Sequence, residues 1–262
     1  MWGYDIEFAG ETGEKNRIYI VRRPGIPAPV HNFTEITIPG RDGNLYMDEG
    51  TNGDIQISVE FNFMGEPEEW FSLFRRAKRW LLQPGQHTLK FLDDRDYFFK
   101  AKKVEIATAE RPCYEIGRFT AVFFCAGYHY AVEGMREVDL ITAEECLETA
   151  EGEVLQTESG ENIALNINKG TVWNDYDISM PVYIITGEGF CELKINGRSM
   201  TANVSGTAII DTERRVAYRA DGTNINTDIS GWYEEMYLMP GENSVEIIGG
   251  MEGRMIPNWR VR

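Results

Sequence analysis

Ile55-Gln56-Ile57-Ser58-Val59-Glu60-Phe61-Asn62-Phe63 opens the stretch that decides the fold, which runs on through a helix to Ala101. Its apolar residues take every second position with polar residues between them, the period of a strand with one face in a core and one in water. From Pro67 the period changes. Trp70, Leu73, Phe74, Ala77 and Leu81 follow at i, i+3, i+4, i+7 and i+11, which predicts one amphipathic helix over 67–82. Pro67 suits the first turn, Glu66, Glu68 and Glu69 complement the positive end of the dipole, and Arg75, Arg76, Lys78 and Arg79 complement the negative end. Pro84-Gly85 stops the helix. Leu89 and Phe91, then Tyr97, Phe99 and Ala101, flank the turn Asp93-Asp94-Arg95-Asp96, so two more strands complete the unit.

Upstream of this stretch, Tyr4, Ile6 and Phe8 suggest a short strand, and Ile18 and Ile20 a firmer one. Pro24-Gly25-Ile26-Pro27-Ala28-Pro29 is a loop, because its prolines remove donors and fix φ. Thr34 to Ile38 is expected as a brief strand before the Gly40–Gly43 turn, and Met47 to Gly53, acidic and glycine-bearing, as an exposed connection. Downstream, Ala101 to Ile106 and Gly117 to Cys125 read as strands, and Tyr128-His129-Tyr130 closes an N-terminal domain over 1–138. Residues 139–161 are rich in glutamate without a period, as in a solvated connection. Residues 162–262 then carry short strands with close turn signals, the pattern of an antiparallel sandwich. Gly187-Glu188-Gly189 is expected as one turn and Asn196-Gly197, the best hairpin signal in the chain, as another. The fold class is mainly β, with an α+β N-terminal domain and a C-terminal antiparallel sandwich.

The order of these parts resembles the distal tail (Dit) protein family of siphophages, hub proteins of the tail tip. The N-terminal match is carried by Pro39-Gly40-Arg41-Asp42-Gly43, the alternating strand, a helix ending in Arg79-Trp80-Leu81, then Leu89-Lys90-Phe91, the aspartate turn and the aromatic strand. The C-terminal match is carried by Gly170-Thr171-Val172, Ser179-Met180-Pro181, Asn196-Gly197, Pro240-Gly241-Glu242-Asn243 and Asn258-Trp259-Arg260-Val261-Arg262. The resemblance implies a galectin-like or carbohydrate-module-like C-terminal sandwich and a structural virion protein. It also implies a hexameric ring joining the tail tube to tail-tip proteins such as a tail-associated lysin, with receptor-binding proteins as further partners. DNA would pass through such a ring, and assembly would occur in the host cytoplasm. Larger members carry an inserted binding module, for which the C-terminal half is too short.

A net charge of −16 and a sequence pI near 4.7 argue against a surface that binds nucleic acid through phosphates. Cys113, Cys125, Cys146 and Cys191 are widely spaced, which suggests buried thiols in a reducing compartment and neither a disulfide framework nor a zinc site. The N-terminus lacks the pattern of a signal peptide, and no apolar run is long enough for a membrane span, so a soluble protein made in the cytoplasm is expected. His31, His87 and His129 lie far apart, outside any metal-ligand spacing. Asn174-Asp175-Tyr176-Asp177 resembles a calcium loop only in part and is read as a turn. No nucleophile elbow, phosphate loop or dinucleotide loop is present, so no catalytic residue, cofactor or metal is assigned and an enzyme is not expected.

For a ring, Trp80, Ile55, Ile57 and Val59 are the candidate interface residues, since Trp80 lies off the centre of the helical stripe and the strands near Ile55–Phe63 and Gly117–Cys125 are the candidate mating surfaces. The alternative is a carbohydrate-binding module in which the C-terminal sandwich reads a host surface glycan. Trp173 and Trp232 are the candidates for stacking on sugar rings, although a core or interface position is favoured for both.

Overall fold

The computed structural model describes residues 4–140, 142–146 and 164–262. The chain forms two compact units, one of residues 1–132 with 261–262 and one of residues 133–260. Most of the 139–161 stretch lies outside the described residues, as do residues 162 and 163.

The first unit is a twisted antiparallel sheet packed on one long helix. Its elements in chain order are β1 (Ile6–Phe8), β2 (Glu11–Thr12), α1 (Gly13–Asn16), β3 (Tyr19–Ile20), β4 (His31–Ile36), β5 (Leu45–Asn52), β6 (Ile55–Met64), α2 (Trp70–Leu81), β7 (His87–Phe91), β8 (Tyr97–Ile106), β9 (Ile116–Cys125) and β10 (His129–Ala131). The sheet order is β2-β1-β7-β8-β9-β6-β3, with β10 added to β8. Ile55, Ile57, Val59, Phe61 and Phe63 all point into the core, and β6 is paired with β9 along its whole length. A 3-10 turn at Pro67–Glu69 leads into α2, whose Trp70, Leu73, Ala77, Trp80 and Leu81 close that core. Phe61 stacks on Phe119 at 5.3 Å between centroids, and the edge of Phe8 meets Phe123 at 5.4 Å. Aromatic pairs of this kind add to plain area burial. Gly117 faces Phe63 across β6 and β9, and a Cβ there would run into the phenyl ring.

One expectation for this unit changes. The connection expected at Met47–Gly53 is strand β5, which pairs with β4 as a separate two-stranded sheet. Pro39 to Gly43 forms the tip of that hairpin, with Gly40 and Gly43 at positive φ, where a side chain would be strained. Glycine and acid content hid the strand, and its consecutive Leu45, Tyr46 and Met47 give no alternation, because the hairpin is exposed on both faces.

The second unit is built from β11 (Val138–Asp139), β12 (Thr142–Cys146), β13 (Ala164–Asn174), β14 (Val182–Ile195), β15 (Arg198–Asp211), β16 (Val216–Arg219), β17 (Ile229–Ser230), β18 (Gly241–Ile248) and β19 (Glu252–Ile256). Their order is β11-β19-β14-β18-β13-β12, with β15 pairing β14 and carrying β16 and β17. Every pairing among these strands is antiparallel. Residues 139, 140 and 142–146, expected in a connection, therefore lie in or beside this sheet.

The turn expected at Gly187-Glu188-Gly189 lies inside β14, which pairs with β15 without a break from Val182 to Ile195. On its other edge β14 pairs with β19 over 182–186 and with β18 over 192–195. The glycines fall where the strand leaves one neighbour for the other, and Gly189 and, on β15 opposite Gly187, Gly206 take positive φ there. They bend a strand and do not end it. Asn196-Gly197 is the tight turn expected, with both residues at positive φ. Between Trp232 and Leu238 lies a 3-10 turn at Tyr233–Met236, whose Met236 carbonyl accepts from the buried Tyr183 hydroxyl at 2.9 Å.

Candidate functional site

All four side chains singled out for a ring interface are interior. Trp80 is 2% exposed and Ile55, Ile57 and Val59 between 0 and 4%. Trp80 belongs to the helix row that faces the sheet, and its indole N–H donates to the Phe8 carbonyl at 3.0 Å. Any self-association surface of this unit is made by other side chains, and two regions present them.

The first is the β4–β5 hairpin. Thr34, Ile36, Leu45 and Met47 lie on one face in register, and Phe33, Glu35, Tyr46 and Asp48 on the other. Phe33, Leu45, Tyr46 and Met47 are exposed, between 42 and 63% of their surface. At the base, His31 Nε2 lies 2.6 Å from Asp48 Oδ1 and Nδ1 lies 2.8 Å from Asn52 Oδ1. Asn52, then Asp48, raise the His31 pKa, and the Gly50 amide, then His31, lower that of Asp48. The carboxylates Glu35, Asp42, Asp48 and Glu49 make the hairpin acidic despite Arg41.

The second region is the outer side of α2. Phe71, Arg75, Lys78 and Leu82 recur at i, i+4, i+7 and i+11 on one exposed stripe. An open apolar groove of about 490 Å³ runs beside it, with Trp70, Phe71, Phe74 and Leu82 on the helix side and Ile106 and Ala109 opposite. Lys78 Nζ sits 5.0 Å from the centre of the Phe74 ring. Arg75, Arg76, Lys78 and Arg79 make no ion pair among the described residues, in a chain of net charge −16. Helix-dipole logic predicted these cations and gave no hint of the groove, which needs the segment after β8 to pass near the helix.

In the second unit Trp173 and Trp232 are 61% and 71% exposed, which overturns the core half of the core-or-interface position favoured for them. Trp173 stands on the outer face of β13 opposite Glu242, and its N–H donates to Asp175 Oδ1 at 2.6 Å. Residues 174–177 are a turn. The Asn174 side chain accepts from the Tyr176 amide at 2.9 Å and donates toward the carbonyls of Asp177, Leu238 and Met239. Phe190 and Met239 add exposed apolar surface to this unit.

Histidines and thiols read as structural groups. Burial lowers the His129 pKa. Burial pushes the Cys125 thiol up to about 12 and Cys191 to about 11, away from the thiolate that a nucleophile needs. Cys113 is exposed, contrary to the expectation of buried thiols, and the side chain of Cys146 lies outside the described residues. No described helix is long and apolar enough to cross a membrane.

No family model matches the sequence, and no curated protein does. Among solved structures the fold is similar to that of the SPP1 Dit (gp 19.1) protein, whose crystal structure is described as a paradigm of the hub adsorption apparatus in phages that infect Gram-positive bacteria. The match covers 98% of each chain at 13% sequence identity with a TM-score of 0.56. The chain therefore has a Dit-like, mainly β fold across both units.

Proposed function

We propose that this chain is the distal tail hub of a long non-contractile-tailed phage or prophage. The observation that carries the reading is the two-unit likeness to the SPP1 hub over 98% of both chains, because sharing one common sandwich would match only half the molecule. In this reading the first unit self-associates into a closed hexameric ring that joins the tail tube on one side to tail-tip proteins, including a tail-associated lysin, on the other. Receptor-binding proteins are further partners, DNA passes through the ring without being bound specifically, and the chain is assembled in the host cytoplasm and catalyses nothing. The exposed hairpin and the α2 groove support self-association, since a closed ring needs two different surfaces on each subunit.

Light scattering coupled to size exclusion tests this reading, with particle images of the same fraction. A sixfold multiple of 29.9 kDa with a central hole is the expected result. A chain that stays at monomer mass at every concentration, and that fails to label the tail tip of assembled particles, would overturn it.

A second reading, glycan recognition by the second unit, is favoured by the exposure of Trp173 and Trp232 and by the hydrogen bond that holds the Trp173 ring edge to Asp175. Glycan-array binding lost on Trp173→Ala or Trp232→Ala with the fold intact would establish it, and an array without signal would remove it.

A further inference from the structure

A strand inside a sheet has a neighbour on each side, and β13 has both for only part of its length. On one side it pairs with β18 from Ile167 to Asn174 in an unbroken register. On the other, β12 covers Ala164 to Asn168 and stops. Along Lys169-Gly170-Thr171-Val172-Trp173-Asn174 no described strand lies on that side, so alternate residues turn their N–H and C=O groups to the open edge. Other edges are blunted. Strands β2, β3 and β11 are two residues long, and the gap that β16 and β17 leave along β15 holds Gly206 at positive φ. The 169–174 edge has no proline and no bulge, and its Thr171, Val172 and Trp173 favour extended backbone.

The indole near the end of this edge indicates what completes it. Trp173 is exposed, its N–H is held by Asp175 Oδ1, and its cross-strand neighbour on β18 is Glu242. Both carboxylates are exposed, and neither makes an ion pair among the described residues. Acids therefore flank the ring along the strand and across the ladder, and the remaining side, over the open edge, is where a side chain of an added strand would stand. An aromatic face beside two carboxylates suits a cation. A second copy of the chain would bring the same two acids to the contact, which favours a different protein as the occupant.

We propose that the 169–174 edge of β13 takes an extended strand of another protein, added antiparallel in line with β12 and carrying a lysine or arginine opposite Trp173. Main-chain hydrogen bonds supply the affinity, and Trp173 with Asp175 and Glu242 selects the basic residue. The site lies wholly in the second unit and does not depend on the hub reading. It gives Trp173 a ligand other than the glycan of the second reading.

Fluorescence anisotropy of a labelled synthetic peptide, threonine and valine alternating around one arginine, titrated with the full chain, tests the site. Binding in the micromolar to millimolar range is expected. Glutamate in place of the arginine, or Trp173→Ala in the chain, should each weaken it about tenfold. Glu242→Lys should reverse the preference between the two peptides. Methylating alternate peptide amides should abolish binding for one set of positions and spare it for the other, the signature of strand pairing. Trp173 and Glu242 are exposed, and circular dichroism of each variant confirms folding. No binding up to the millimolar range, or binding that survives both methylation patterns, overturns the strand site. Concentration-dependent protection of the 169–174 amides in the chain without peptide assigns the edge to a second copy and overturns it. Glycan-array binding lost on Trp173→Ala, with no peptide bound, assigns the indole to a sugar and overturns it too.

Discussion

Strands β6 and β5 are neighbours in sequence, separated by Gly53 and Asp54, but only β6 alternates apolar and polar residues, and they meet opposite fates. The apolar face of β6 is sealed by α2, with Ile57, Val59 and Phe61 at 0% exposure. In β5, Leu45, Tyr46 and Met47 stand in water, paired only to β4. Alternation says that a face is to be covered, and in this unit the chain covers that of β6 itself, while the apolar side chains of β5 stay exposed.

The sharpest way to break the contrast is to cut the same side chain on each side of it. Phe61→Ala removes a fully buried ring stacked on Phe119 and in edge contact with Trp80. Urea unfolding of the isolated monomer should register a loss of about 3–5 kcal/mol. Phe33→Ala, a ring of the same size on the hairpin, should shift the monomer by roughly 0.5 kcal/mol or less. Equal losses would mean that the hairpin is packed in its own chain.

Gly117→Ala tests how closely β6 and β9 are fitted. The added methyl meets the Phe63 ring from across the pair, so the phenyl must leave its place against Trp70 and Phe74. Overpacking of this kind costs about 1–3 kcal/mol. The paired change Gly117→Ala with Phe63→Leu should recover part of it, whereas Gly170→Ala, where nothing lies within 4 Å of the new methyl, should change little.

What the residues disclosed, and what they hid, follows the same division. The β6 alternation, the α2 stripe, the Asn196-Gly197 turn and the order of parts from Gly40 to Ala101 were legible because each is a local pattern whose partner lies in the same unit. Trp80 was misread because a helix row was cut one residue short: positions 73, 77, 80 and 81 all face the sheet. Gly187-Glu188-Gly189 was misread because glycine permits a bend as readily as a turn, and only the exchange of neighbours along β14 distinguishes them. The hairpin was half missed for a different reason. A strand with no covered face lacks the contrast between apolar and polar positions on which the reading depends, although Phe33, Glu35, Tyr46 and Asp48 around a Pro-Gly-Arg-Asp-Gly tip could have signalled it. Exposure of Trp173 and Trp232 had no signal at all, since tryptophan in a sandwich strand fits either face.

In the second unit, the Asn174 side chain faces three backbone carbonyls and the Tyr176 amide from a position 1% exposed. Asn174→Ala should cost about 1–3 kcal/mol, because buried carbonyls lose their donor. Since Trp173 precedes it, the same change should loosen the indole held by Asp175, and a redder, less polarised tryptophan emission in the variant is the expected sign. Asp175→Asn should move the emission without the loss of stability.

The smallest effect sharpens the contrast most finely, because it acts on the hairpin alone. His31 faces two oxygens, Asp48 Oδ1 and Asn52 Oδ1, so both ring nitrogens must donate, and the doubly protonated imidazolium satisfies both. Asn52, then Asp48, hold its pKa above the ordinary histidine value, against partial burial and the charge of Arg262. A group whose pKa is raised on folding stabilises the fold fully below its unfolded value, and that contribution fades as pH rises through the folded value. The hairpin base should therefore be tightest in mild acid and loosen from about pH 6.5 upward. Among the described residues the Asn52 Nδ2 is buried without a hydrogen-bond partner, so when the ring gives up its Nδ1 proton a half-turn of the amide turns that donor toward it, leaving Nε2–H to hold Asp48. Amide exchange of Phe33 and Asp48, corrected for intrinsic pH dependence, should quicken across that range while exchange of Val59 stays fixed. In His31→Gln the pH step should vanish, and a step that survives there would place the titration elsewhere.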